Sequence, residues 1–298
     1  MLTRQQLLFL LAPVLLAASA SADPIVYITS GAQTFGSIDI TTGVFQLLGQ
    51  GPNASLGYFG LAAGPNGSLY TFLYNGDVDS INPATGIAAD IGPSGLGDCT
   101  TLGVSPCGPN SANDIGGSAG NIYATDYQNN LYGLNPLTGA ATLIGPTGIP
   151  AFVPGFNPDG TVTFYDEAIF GAPGGLYMTF DSFEFDLNTF TNGSVVVAPE
   201  LYRINTSTGG ATPLGPTDLG IGAVVGVNGT YYAFDDITNQ IESLNLANGS
   251  TTFVSNFDPA AGLVQGAVAT PEPASIALLG TGLLALASSR VRRRYRRI

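Results

Sequence analysis

The sequence predicts an all-β protein, a β-propeller of five four-stranded blades closed by pairing of its two chain ends. Three observations predict it: a composition suited to short strands and tight turns, a phrase repeated five times, and ends that complement each other.

The composition comes first. Forty-one glycines and 20 prolines interrupt a 298-residue chain that is nonetheless 45% hydrophobic and 10% aromatic. There is enough apolar side chain to bury, so disorder is disfavoured, and the frequent breakers cut the chain into short strands. Lysine is absent and Asp outnumbers Glu, which further lowers helix propensity.

The repeat comes second. "GSIDITTGVFQLLGQG", "DSINPATGIAADIGPSG", "YGLNPLTGAATLIGPTG", "YRINTSTGGATPLGPTD" and "ESLNLANGSTTFVSNF" share one design. Each sets Asp39, Asn82, Asn135, Asn205 or Asn245 four residues before Gly43, Gly86, Gly139, Gly209 or Gly249. An Asn or Asp side chain can cap a turn through the backbone, and glycine takes φ > 0 before the second strand departs. Upstream lie aromatic strands such as "GSLYTFLY" and "GNIYATDY", preceded by small-residue strands such as "YFGLAAGPNG". One unit is therefore four short antiparallel strands, the form of a propeller blade. Insertions fall near the cysteines and in "DSFEFDLNTFTNGSVVVAPE", where "FEFDL" alternates like one more strand. A β-sandwich and a six-bladed ring are the competing architectures.

The ends come third. "DPIVYITSG" begins directly on an aromatic strand, and "AAGLVQGAVA" (260–269) resembles the missing small-residue strand. Together they complete one blade and remove exposed sheet edges.

The predicted body spans 23–269, between a leader (1–22) and a tail (270–298). "MLTRQQ", the apolar "LLFLLAPVLLAA" and the small residues of "ASA" form a secretory signal, with Ala20 and Ala22 before cleavage and Asp23 as the first mature residue. Export makes Cys99 and Cys107, the two cysteines of the chain, a predicted disulfide. All 21 acidic residues belong to the exported part, whose one basic residue between 23 and 289 is Arg203. Such a surface repels phosphate backbones and excludes nucleic acid as a partner.

With no histidine, Ser-His-Asp and Cys-His catalysis are excluded, and no phosphate loop or zinc motif occurs. The expectation is a non-enzymatic protein without cofactor and without an assigned metal site. Calcium is the one candidate ion: Asp77 with Asp79, Asp235 with Asp236, Asp166 with Glu167, and Glu184 with Asp186 offer hard oxygen ligands. Solvated strand ends and turn caps are the competing use of those carboxylates. A calcium-dependent propeller hydrolase and a lectin-like module, with Tyr127 and Tyr132 stacking on sugars, are the alternative functions.

The tail reads "PEPASIALLGTGLLALASSR" followed by "VRRRYRRI". Residues 274–289 would span about 24 Å as a helix, slightly less than a bilayer core. Arg290, Arg292, Arg293, Arg294, Arg296 and Arg297 would stay cytoplasmic by the positive-inside rule. The segment is thus a transmembrane anchor for an exported chain. Pro271, Glu272 and Pro273, the apolar run and the basic end together resemble the PEP-CTERM sorting signal of Gram-negative bacteria. That resemblance implies signal peptidase and exosortase as processing partners and a transient inner-membrane precursor. It further implies delivery to the cell surface or extracellular matrix, alongside exopolysaccharide.

Overall fold

A computed structural model describes residues 24–31, 34–51, 57–97, 111–151, 161–186, 189 and 191–270. The signal cleavage residues Ala20, Ala22 and Asp23, the pair Cys99 and Cys107, the triplet Pro271, Glu272 and Pro273, and the basic end (Arg290, Arg292, Arg293, Arg294, Arg296, Arg297) lie outside the described residues. No helix among the described residues is long and apolar enough to cross a membrane. The apolar run 274–289 is not among them.

Ile25–Ala269 forms one compact unit. The chain first lays down β1 (Ile25–Ser30), β2 (Thr34–Asp39) and β3 (Phe45–Gln50). The second blade is β4 (Tyr58–Ala63), β5 (Leu69–Leu73), β6 (Asp77–Ile81) and β7 (Ala88–Pro93). The third is β8 (Ala112–Ser118), β9 (Asn121–Asp126), β10 (Asn130–Leu134) and β11 (Ala141–Pro146). The fourth is β12 (Thr161–Ala172), β13 (Gly175–Asp186), β14 (Thr191–Ile204) and β15 (Ala211–Pro216). The fifth is β16 (Ile221–Val227), β17 (Thr230–Asp235), β18 (Gln240–Leu244) and β19 (Thr251–Asn256), and β20 (Val264–Ala269) ends the unit.

These strands make five four-stranded antiparallel sheets. In the first, the order β20-β1-β2-β3 joins the two ends of the body, with Val26 opposite Ala269 and Ile28 opposite Ala267. The ring is a five-bladed propeller sealed by its own last strand. The sandwich and six-bladed alternatives are excluded by this pairing.

"FEFDL" is not an additional strand. The pairing of β12 with β13 runs unbroken from Ala172 opposite Gly175 to Thr161 opposite Asp186, so the insertion lengthens the fourth blade. Both strands have 12 residues where the inner strands of the other blades have six or seven.

The predicted turn chemistry is present in all five repeats. Asp39 or Asn82, Asn135, Asn205 and Asn245 accept through Oδ1 from the backbone N–H two residues on. Their carbonyl oxygens accept from the N–H of Gly43, Gly86, Gly139, Gly209 and Gly249, whose φ lies between 66° and 86°. Each glycine has a second duty. Gly86 lies against Gly49, Gly139 against Gly92, Gly209 against Gly145 and Gly249 against Gly215, each on the outer strand of the preceding blade. Gly43 meets Asn256 and closes the series.

The core is divided accordingly. Five apolar clusters each join two neighbouring blades, as where Phe234 and Ile241 of the fifth blade meet Val26, Ile28 and Val264 of the first. Phe72, Phe180 and Phe234, all on second strands, are fully buried in these seams. Each contributes about 1.5–3 kcal/mol by burial.

Two glycine substitutions separate backbone strain from inter-blade contact. Gly120 (φ +78°) has open space around an added Cβ, so Gly120→Ala should cost about 1–2 kcal/mol from its left-handed backbone alone. At Gly139 (φ +75°) the Cβ would lie 2.5 Å from the Gly92 carbonyl oxygen, adding a further cost of about 1–3 kcal/mol in urea unfolding. Equal costs would show that the seam contact contributes nothing.

Candidate functional site

Antiparallel order sends the start of every inner strand and the end of every second strand to one end of the ring. Buried acids gather there. On β8, Asp114 accepts through Oδ2 from the Ile169 N–H of the next blade at 2.7 Å, while its Oδ1 sits over Gly60 of the previous one. Glu167 on β12 accepts from Asn113 Nδ2 at 2.6 Å and from the Thr125 hydroxyl, both on the third blade. Asp181 on β13 accepts from the Gly220 N–H at 2.9 Å, just ahead of β16. Directly after β17, Asp236 accepts from the Val264 N–H of β20 at 2.8 Å. Thr29 on β1 donates to the Gly60 carbonyl at 3.0 Å. These bonds tie the first blade to the second, the third to the fourth, the fourth to the fifth and the fifth to the first around the axis.

The axis itself is nearly filled. Leu61, Asp114, Ala168, Ala223 and Gly266, one from each inner strand, line a cavity of about 10 Å³, room for one water. A cleft of about 420 Å³ lies at the opposite end, between the first turns of the third and fourth blades. It is lined by Gly117, Ser118, Ala119, Gly171, Ala172, Gly174 and Gly175, without an ionisable side chain.

The acids carry unusual electrostatics because no cation among the described residues compensates them. Arg203 donates to the Gly174 carbonyl at 2.6 Å, in the turn at the far end of β12. Burial raises Asp114 well above the carboxylate range. Burial, then the Asp114 charge, does the same to Glu167. Burial and Asp235 push Asp166 up to about 7, and burial and Asp166 push Asp181 up to about 8. Asp236 rises well above its ordinary value through burial and then Asp166. A protonated carboxyl in such a site donates or accepts without the full desolvation cost of an anion.

The adjacent carboxylate pairs of the sequence separate. Asp166 turns toward the fifth blade and Glu167 toward the third, as their partners show. Asp235 caps its own turn, accepting from Ile237 N and Thr238 N at 2.8 and 2.9 Å, whereas Asp236 crosses to β20. Asp77 accepts from Asn75, and Asp79 is raised to about 6 by burial, then Asp90 and Asp77. Glu184 accepts from Ser194, and Asp186 from the Thr189 N–H at 3.4 Å. Among the described residues no group of three or more acidic side chains converges to hold a metal ion.

Tyr127 is buried in the seam between the third and fourth blades, edge-on to Tyr165 at 5.4 Å. Tyr132 donates to Asp126 at 2.9 Å. Neither is an open platform. The inter-blade bonds of Asp114, Glu167, Asp181 and Asp236 escaped sequence reasoning. Their one visible signal was position, at the start of a small-residue strand or the end of an aromatic one.

The raised carboxyls set the pH dependence. Asp181 and Asp166 stay protonated in the folded chain to about pH 8 and 7, whereas unfolded aspartates release their protons near pH 4. The native state thus binds more protons between these limits, and stability falls as pH rises through them. Thermal unfolding followed from pH 4 to 9 should show a steadily falling Tm. Asp181→Asn should flatten that fall.

A family model described as the PEP-CTERM protein-sorting motif matches residues 269–294. Among curated proteins nothing matches the chain. A chain of a nidogen/laminin complex is 12% identical with a TM-score of 0.47, covering 82% of this chain and 97% of that one. Regucalcin, a calcium-binding protein from Agrobacterium tumefaciens, is 15% identical with a TM-score of 0.37, over 65% of this chain and 56% of that one. A protein of unknown function from Bacteroides thetaiotaomicron is 13% identical with a TM-score of 0.43, over 79% and 61%. The motif at 269–294 implies processing by exosortase and an exported protein with a membrane-anchored precursor, here joined to a five-bladed propeller.

Proposed function

We propose that the propeller is a non-enzymatic binding and structural component of the exopolysaccharide layer at the surface of a Gram-negative cell. Signal peptidase and exosortase would remove the two terminal segments on the way. The observation that carries this reading is the position of the sorting motif: it begins at Ala269, the last residue of the strand that seals the ring. The sorting signal therefore begins where the sealed body ends.

Two features support a role through outer surfaces. The axial cavity of about 10 Å³ admits no substrate. The buried acids at that end are engaged in holding blades together rather than facing an open cleft. A rigid acidic disc suits a hydrated matrix, where net charge keeps it dispersed.

Intact mass and fractionation of the protein in its own host test the proposal. The mature species should lack 1–22 and the tail and should co-purify with matrix polysaccharide. A chain truncated after Thr270 should keep the same Tm yet lose matrix association. A mature mass that retains 271–298 would overturn the sorting route.

A further inference from the structure

The lengthened fourth blade creates a surface that the other blades lack. Phe164 on β12 stands opposite Phe183 on β13, with ring centroids 6.4 Å apart and nearly parallel. Phe185 meets Phe164 edge-on at 5.6 Å. Phe183 is buried, but Phe164 is 45% exposed, and Val195, opposite Phe183 on β14, is 50% exposed. An aromatic wall therefore projects into solvent from the acidic end of the ring.

Strand alternation fixes what lies beneath it. Residues two apart share a face, so Phe164 and Asp166 look the same way, about 7 Å apart along β12. Asp181, opposite Asp166, continues the Phe183 face. That face meets the fifth blade, whose Asp235 raises both members of this pair and whose Asp236 is raised in turn by Asp166. Asp166 is half-buried. Asp181 is 2% exposed, and its Oδ1 has no hydrogen-bond partner, as is also true of Thr179 Oγ1 one step further down the same face. The floor below the wall is thus a pair of under-satisfied carboxyls with no neighbouring cation among the described residues, and with Asp166 raised to about 7 it becomes anionic as pH rises through neutrality.

An exposed aromatic face attracts the C–H face of a sugar ring and, through its quadrupole, a cation. Asp166 below it, once ionised, rejects anionic sugars and accepts from an ammonium group, whose charge in turn favours that ionisation. We propose that Phe164, backed by Phe183 and Phe185, and Asp166 form a binding site for a glycan bearing protonated amino groups. The separation of about 7 Å between wall and carboxylate suits one pyranose ring stacked on Phe164 with its amino substituent directed to Asp166. The inference rests on the matrix-binding reading above and names its ligand class and its site.

Calorimetric titration of the exported protein with β-1,4-linked glucosamine oligomers tests it. Binding should weaken about tenfold in Phe164→Ala and in Asp166→Asn, and should be unchanged in Phe253→Ala, an exposed aromatic on β19. N-acetylated oligomers should bind at least tenfold more weakly than the free amines. Equal affinity for uronate oligomers would overturn the site, as would lysine oligomers binding as tightly and indifferently to Phe164→Ala. Absence of binding would overturn it too. Melting curves of the three variants guard against misfolding: a variant that melts with the wild type yet binds normally counts against the site. Matrix retention in the host is read separately, so a protein that stays in the matrix without binding glucosamine oligomers refutes this site and leaves the broader function standing.

Discussion

Backbone meeting backbone across the seams is the constraint on which the ring depends. Around the axis the inner strands approach so closely that a Cβ at Gly116 would fall on the Ile169 carbonyl oxygen, and one at Gly171 on that of Gly117. A Cβ at Gly266 would fall on the Leu61 nitrogen. Five sheets can surround so narrow an axis because these positions carry no side chain. The periphery repeats the device, where each turn glycine rests on the outer strand of the blade before it. Close packing of this kind transmits strain well and tolerates added volume poorly.

Polar groups trapped by that packing must find partners, and here they find them across blade boundaries. Asp114, Asp181 and Asp236 accept from main-chain N–H groups of a neighbouring blade, those of Ile169 within β12, Gly220 just ahead of β16 and Val264 at the start of β20. Burial makes the charged form costly, and with only Arg203 available in the body the economical solution is the neutral acid. The same acids therefore serve cohesion in their protonated state and oppose it once ionised. A ring held together in this way is suited to neutral or mildly acidic surroundings.

Much of this was legible in the chain. The Asn or Asp with glycine four residues on predicted the turn because both parts act locally, through a side-chain cap and a positive φ. The strand pairing of the two ends was legible from composition, since one unit lacked a small-residue strand and another stood alone. The seam contacts of the same glycines were not, because proximity between Gly139 and Gly92 depends on how whole blades pack. Nor were the inter-blade carboxylates: an aspartate in a turn-rich chain reads as solvated until its neighbours are known. Asp235 does cap a turn, and adjacent Asp236 does not. "FEFDL" misled for a similar reason, as alternation marks a strand but cannot distinguish a new one from the continuation of β13.

The placement of β20 sets the order of events during export. In chain order β1, β2 and β3 come first, and β1 has an open edge until Val264–Ala269, the last strand of the body, pairs with it. Four blades are complete in themselves, while the first waits for the last strand. Maturation thus finishes only when the segment adjoining the sorting motif has emerged, so that the final fastening and the commitment to the cell envelope happen at the same stretch of polypeptide.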